Sequence, residues 1–204
     1  TGQVTAPMSR VEIYNDRVSI QLPLGGHSFS ADDISADVIG GTQSVEIILP
    51  SRQTMLVPEQ EFDANVAGAL LSAAGMPCRD GQCAVYTRPL CGMVGIMAVE
   101  DSLHKMLRGV FGERMYYSTP LLSAATLARG VVLQRIDDLL FVRIYDDGLQ
   151  MAEVMTAAND ADVVYLLSTI DREYHIYNTE CRIVGQSGGL IEICKTIFKH
   201  ASCE

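Results

Sequence analysis

Apolar residues fall at every second position over residues 18–24, placing Val18, Ile20 and Leu22 on one face of a predicted strand. Gly25-Gly26 signals a turn, and His27 to Ser30 returns as a second strand. A third strand is expected over Val45–Leu49, and Thr54–Val57 follows it after a Ser51–Gln53 turn. From Pro58 the spacing becomes helical. Phe62, Val66, Ala69, Leu70 and Ala73 line one face, Glu59 and Glu61 suit the positive end, and Gly75 and Pro77 stop the helix. Ala84–Tyr86 and Leu90–Val99 read as strands, with Gly92 and Gly95 marking a bulge or a close approach. Asp101 or Ser102 caps a helix striped by Leu103, Met106, Leu107, Val110 and Phe111 and closed by Gly112. Met115–Tyr117 is a short strand. Thr119-Pro120 then opens a helix through Leu121, Leu122, Ala125 and Ala128, and Gly130 ends it.

A second series starts at Val131. Val131–Gln134 is a strand, residues 135–138 form a polar turn, and Leu139–Tyr145 is apolar enough to be buried on both faces. Asp147-Gly148 is a strong hairpin signal, with Leu149–Met155 returning. Asn159 or Asp160 caps a helix carrying Val163, Leu166, Leu167 and Ile170. Ile176–Val184 is a strand, with Tyr177, Thr179, Cys181 and Ile183 on one face. Gly188-Gly189 precedes a last helix with Leu190, Ile193, Cys194 and Ile197. Three strands followed by helices alternating with strands thus occur twice, which predicts lobes over residues 1–130 and 131–204. Each lobe should hold a mixed sheet, antiparallel at one edge and parallel beyond, with helices on both faces.

Composition narrows the function. The chain has 204 residues, 48% hydrophobic and 20% charged, so it has the apolar content to fold. No apolar run of the length a membrane helix needs is present. The net charge of −10 argues against a nucleic-acid partner. Cys78, Cys83, Cys91, Cys181, Cys194 and Cys203 are too sparse for a disulfide-stapled scaffold, and His27, His104, His175 and His200 add no ligand spacing. Free thiols and a cytoplasmic setting are expected, with no metal site. Residues 1–10 lack the apolar core of a secretory leader, and a first residue other than Met leaves upstream residues open.

Several short segments carry a resemblance. They are Gly26–Ser30, Thr54–Pro58, Tyr117–Leu122, Leu139–Met155 and Asn159–Tyr165. In this order the chain resembles an uncharacterised family of Bacteroidetes proteins of unknown function with an actin-like ATPase, ribonuclease-H-like fold. The resemblance implies an α/β protein of two tandem ribonuclease-H-like lobes, with mixed sheets flanked by helices. It also implies where a nucleotide would sit: phosphates between one hairpin turn per lobe, and adenosine on a Gly-Gly turn before a helix.

On that pattern the candidate cofactor-binding residues are Gly25, Gly26, Asp146, Gly148, Gly188 and Gly189, for ATP with Mg²⁺. The first turn lacks the Asp-x-Gly of the superfamily. The second has Asp146-x-Gly148, but Leu149, Gln150 and Met151 replace the small residues expected next and would crowd a phosphate. Gly188-Gly189 fits the adenosine turn, but a loop into a helix explains that pair fully, as a type I′ hairpin turn explains Asp147-Gly148. A two-metal nuclease needs convergent carboxylates. Strand 18–24 has none, and Asp146, Asp147, Glu153 and Asp171 read as turn and helix-end acids. No Gly-x-Ser-x-Gly elbow occurs, Ser28 beside His27 is only a sequence neighbour, and Cys91 and Cys181 read as core. No catalytic residue is therefore assigned. The expectation is a non-catalytic interaction or assembly module on a degenerate actin-like fold, acting through a protein partner or self-association. The nine Met and eight Tyr, with Tyr116-Tyr117 adjacent, offer an adaptable surface. The alternative is a nucleotide-binding protein with an interlobe site.

Overall fold

A computed structural model describes residues 8–13, 18–22, 25–29, 44–122, 127–185 and 188–203. The chain divides into two compact units, Thr1–Leu122 and Ser123–Glu204. Pro23, Leu24, Ser30 and Ala125, which carry parts of the predicted elements, lie outside the described residues.

The first unit holds β1 (Met8–Ile13), β2 (Val18–Leu22), β3 (Gly25–Phe29), β4 (Ser44–Ile48) and β8 (Met115–Ser118) in one sheet, ordered β3-β2-β1-β4-β8. β1 pairs antiparallel with β2 and β2 with β3, while β1–β4 and β4–β8 are parallel. The second unit holds β9 (Arg129–Ile136), β10 (Leu139–Asp146), β11 (Leu149–Thr156), β12 (Glu180–Ile183) and β13 (His200–Cys203), ordered β11-β10-β9-β12-β13. Its pairings repeat the first: antiparallel across β9–β10–β11, parallel across β9–β12–β13. The same order and the same mixture of directions therefore occur in both units, without a residue-level repeat. Gly130, the predicted junction, is the second residue of β9.

The units differ in the connection to the last strand. In the second, α4 (Gly188–Ile197) links β12 to β13 directly. In the first, residues 49–100 intervene between β4 and α2 (Asp101–Phe111) and build a separate antiparallel sheet. It consists of β5 (Thr54–Pro58), β6 (Gln82–Tyr86) and β7 (Met93–Glu100), ordered β5-β7-β6 and covered by α1 (Ala67–Ala73).

Strand periodicity shows how this insertion is held. Val94, Ile96 and Ala98 of β7 pack with Val57, Ala67 and Leu71 on the α1 side. Met97 and Val99 point the other way, with Val85 and Cys83 of β6. They join Val11, Val45 and Ile47 of the larger sheet and Leu107 and Phe111 of α2. Gly95 is on that second side. A Cβ there would lie 2.9 Å from Thr119 Cγ2 and 3.0 Å from Thr87 Cγ2, so this glycine permits the close approach its position suggested.

The second unit's core places α3 (Asp160–Tyr174) and α4 on one sheet face. Val163, Leu167, Leu190 and Cys194 meet Val131, Leu133, Leu140, Val142, Cys181 and Ile183 there. Helices on both faces were expected; among the described residues both five-stranded sheets carry their helices on one face. β10 is nonetheless buried on both sides, and its second face carries Phe141, Tyr145 and Arg143, the last only 3% exposed.

Other expectations shift. β1 lies outside any predicted strand, as does β13. Pro58 ends β5, two short 3₁₀ turns follow, and the helix begins only at Ala67, where α1 can bury Leu71. Pro120–Leu122 form a turn in which Leu121 and Leu122 are buried, and residues 123–126 of the helix expected to follow lie outside the described residues. Residues 176–178 are a 3₁₀ turn set by the left-handed cap at His175 (φ 51°), so the strand begins at Glu180. Cys91 is exposed rather than core. With Gly92 it forms the tight turn that pairs Leu90 with Met93, both turn residues having positive φ (52° and 74°).

Two substitutions test this architecture. Gly130 has φ 139°, and a Cβ there would run into the Glu180 carbonyl oxygen on the paired strand β12. Gly130→Ala should cost about 2–3 kcal/mol in urea unfolding. Asn159 caps α3 in a reciprocal capping box with Asp162, so Asn159→Ala should cost about 1 kcal/mol.

Candidate functional site

In an open sheet with parallel strands, ligands gather at the strands' carboxyl ends. Gly25 and Gly26 open β3, with Gly25 paired to Leu22 and Gly26 to Gln21. Since Gln21 pairs with Arg10, this turn stands at the amino end of β1. Asp146 pairs with Arg129 at the first residue of β9, so the Asp146–Gly148 turn likewise stands at the amino end of the parallel strands. Gly188 and Gly189 start α4, which leaves the carboxyl end of β12. Within the second unit the register therefore sets Asp146–Gly148 and Gly188-Gly189 at opposite ends of the sheet.

The Asp146–Gly148 turn is internally bonded. The Asp146 N–H donates to the Gly148 carbonyl at 2.9 Å and the Asp147 N–H to the Ala128 carbonyl at 2.9 Å. The Gln150 amide donates to the Asp146 carbonyl at 2.9 Å, and Arg129 approaches the Asp146 carboxylate at 3.6 Å. A phosphate cradle needs amides aimed outward; two of these are committed within the protein. At Gly189 the nearest atoms to a Cβ would be the carboxylate oxygens of Asp160, at 3.8 and 3.9 Å. That carboxylate is paired with Arg135 at 2.7 Å. Of the other candidate acids, Asp171 accepts the Tyr177 N–H at 2.9 Å, a structural role. Among the described residues no group of three or more His, Cys, Asp or Glu is placed to hold a metal ion.

The thiols are all free. Cys181 and Cys194 share a hydrogen bond inside the second core, which together with burial holds the Cys181 thiol far above its ordinary range. A neutral buried thiol of this kind is unreactive. The methionines divide as well: Met97 and Met115 fill the first core, and Met106 is exposed.

Sequence reasoning did not locate one concave feature of the first unit. A hollow of about 500 Å³ lies between the free edges of the two sheets, β6 and β8, and the face of α2. A parallel bridge, Thr87 to Tyr117, links the two edges. Four aromatic side chains line it: Phe62, Tyr86, Tyr116 and Tyr117. Phe62 and Tyr86 stack tilted, with ring centroids 5.0 Å apart. The Tyr117 hydroxyl and His104 Nδ1 are hydrogen-bonded at 2.8 Å. Arg88 places its guanidinium carbon 4.0 Å from the centre of the Tyr116 ring. Behind that ring, register aligns Arg10, Glu46 and Tyr116 across three strands, with Arg10 paired to Glu46 at 2.9 Å. Burial, and next the Glu46 carboxylate, raise the Tyr116 phenol above its ordinary value, with Arg88 opposing. The adjacent Tyr116-Tyr117 pair was the sequence signal for this place; the edge-to-edge meeting that makes it concave was not visible.

The architecture has known counterparts. No family model and no curated protein matches the chain. Among solved structures it is similar to a Bacteroides thetaiotaomicron protein with an actin-like ATPase fold and unknown function. That match covers 98% of this chain and 91% of the other, at a TM-score of 0.71 and 14% identity. It is also similar to the cytoplasmic domain of EpsL, an inner membrane component of the type II secretion system of Vibrio cholerae. There 87% of this chain and 81% of the other align, at a TM-score of 0.52 and 11% identity. The chain has the mixed α/β, actin-like ATPase fold. No helix among the described residues is long and apolar enough to cross a membrane.

Tyr117 of the lining and Cys83 of the core behind it share a titration signature. Burial pushes the Tyr117 phenol up to about 12, and pushes the Cys83 thiol, with help from Asp101, up to about 11. Both groups are neutral when protonated, and both folded values lie above the ordinary 10.0 and 9.0. Their contribution to stability is therefore complete below pH 9 and is lost as pH rises through 11 and 12. An ultraviolet titration should show the Tyr117 tyrosinate forming near pH 12, and Tyr117→Phe should remove that step.

Proposed function

We propose that the chain is a non-catalytic interaction or assembly module on a degenerate actin-like fold, working in the cytoplasm through a protein partner or self-association. The observation that carries this reading is the turn at Asp146–Gly148. Its Asp146 and Asp147 amides are bonded to Gly148 and Ala128, and Gln150 closes it. An amide already satisfied inside the protein offers little to an incoming phosphate. Beside Gly189, at the start of α4, stands the Asp160 carboxylate, paired with Arg135, and a carboxylate offers an incoming anion no donor. Further support comes from the fold shared with the cytoplasmic domain of a secretion-system component, a protein that belongs to an assembly. The charge of −10 makes nucleic acid an unfavourable partner.

The test is thermal unfolding of metal-free protein with and without millimolar MgATP. A site filled at a hundred times its Kd would add about 2.7 kcal/mol, a rise of several degrees in Tm at this chain length. No saturable rise is expected. A saturable rise abolished by Asp146→Ala would overturn the reading and assign the turn to a nucleotide.

A further inference from the structure

We infer that the hollow between β6, β8 and α2 is a docking site for an extended segment of a partner protein that carries an aromatic or aliphatic anchor beside a carboxylate. This rests on the interaction-module reading and specifies its site and the chemistry of its partner.

The backbone supplies the first argument. β8 ends the larger sheet and β6 ends the smaller one. Among the described residues one backbone bridge, Thr87 to Tyr117, links the two edges, and Val85 packs with Met115 and Tyr117 on their buried side. A strand edge is a template for an extended chain, which binds by main-chain hydrogen bonds and sets alternate side chains into pockets. The volume of about 500 Å³ suits one or two anchoring side chains.

The lining supplies the second. Tyr and Arg are the side chains most enriched where binding energy concentrates, and Tyr86, Tyr116, Tyr117, Arg88 and Arg108 all face this one hollow. Tyr86, the last residue of β6, is 45% exposed, and Leu90, in the turn that follows, is 48% exposed.

Charge selects the occupant. In a chain of net charge −10, the charged side chains lining the hollow among the described residues are Arg88, Arg108 and Glu59. Arg108 shares itself with Glu113 at 3.3 Å, and Arg88 lies flat on Tyr116. A guanidinium stacked on a ring still presents its edge N–H groups to a carboxylate. A polyanion would feel the whole acidic chain, whereas a segment with one carboxylate next to an apolar anchor meets only the local positive charge.

The experiment is selection of a phage-displayed random dodecapeptide library on the full chain, followed by fluorescence anisotropy with labelled versions of the enriched peptides. Enriched sequences should place Asp or Glu within two positions of an aromatic or aliphatic residue. Arg88→Glu and Tyr86→Ala, both exposed positions, should each weaken binding by about tenfold or more. Tyr165→Ala, at an exposed tyrosine of the second unit, should leave binding unchanged. Circular dichroism and Tm of the variants should match the parent. No enrichment, enrichment without an acid, or equal binding to the parent, Arg88→Glu and Tyr86→Ala would each overturn the site. Equal binding to all variants would leave the interaction-module reading standing, since that reading falls instead on a saturable nucleotide shift.

Discussion

Burial of both faces of β7 is the constraint on which the first unit depends. One face, through Val94, Ile96 and Ala98, closes the small core under α1. The other, through Met97 and Val99, closes the large core with β1, β4 and α2. A strand inside two cores cannot shift by one residue without exchanging both sets of side chains. Its register then fixes β6 beside it, and its last residue runs straight into α2. The hollow between β6 and β8 is a consequence. It exists because β7 holds one sheet edge at a set place beside another, and Gly95 lets the Thr119 and Thr87 side chains close in.

The two units show what one topology does with and without an insertion. Both sheets share an order and a pattern of directions. In the second, α4 returns directly, and the sheet's carboxyl end carries the Asp160–Arg135 pair close to Gly189. In the first, residues 49–100 turn the same connection into a second sheet, and the edge of that sheet forms one wall of the aromatic hollow.

Much of the architecture was legible in the sequence because it rests on local periodicity. The helical stripe from Leu103 to Phe111, the alternation around Cys181 and Ile183, and the cap at Asn159 each encode their element directly. The misreadings have a common physical cause. Residues 8–13 (MSRVEI) alternate, but Ser9 is buried among apolar neighbours and disguises the pattern. Pro58 suits a helix start and a strand end equally, and pairing with Met93 decides between them. Cys91 lies in an apolar stretch that turns back on itself at Cys91-Gly92, where two positive φ values outweigh hydrophobicity. The candidate glycines follow the same logic. A glycine pair specifies a turn, but which end of a sheet the turn occupies is a property of strand order, and no local spacing carries that.

Strand order also explains why the chemistry of the hollow could only be half seen. Tyr116 and Tyr117 alternate across β8, so one residue belongs to each sheet face. Tyr117 turns inward to His104 and the core, and Tyr116 turns to the face bearing Glu46 and Arg10. On an interior strand these two side chains would never share a surface. On an edge strand both border the same opening, and Arg88, reaching across from the chain just past β6, covers the outer ring. An adjacent aromatic pair thus becomes a two-sided lining only when its strand ends a sheet, and the ion pairing behind it keeps the outer ring in place. The guanidinium over that ring comes from a segment some thirty residues away, brought there by the burial of β7.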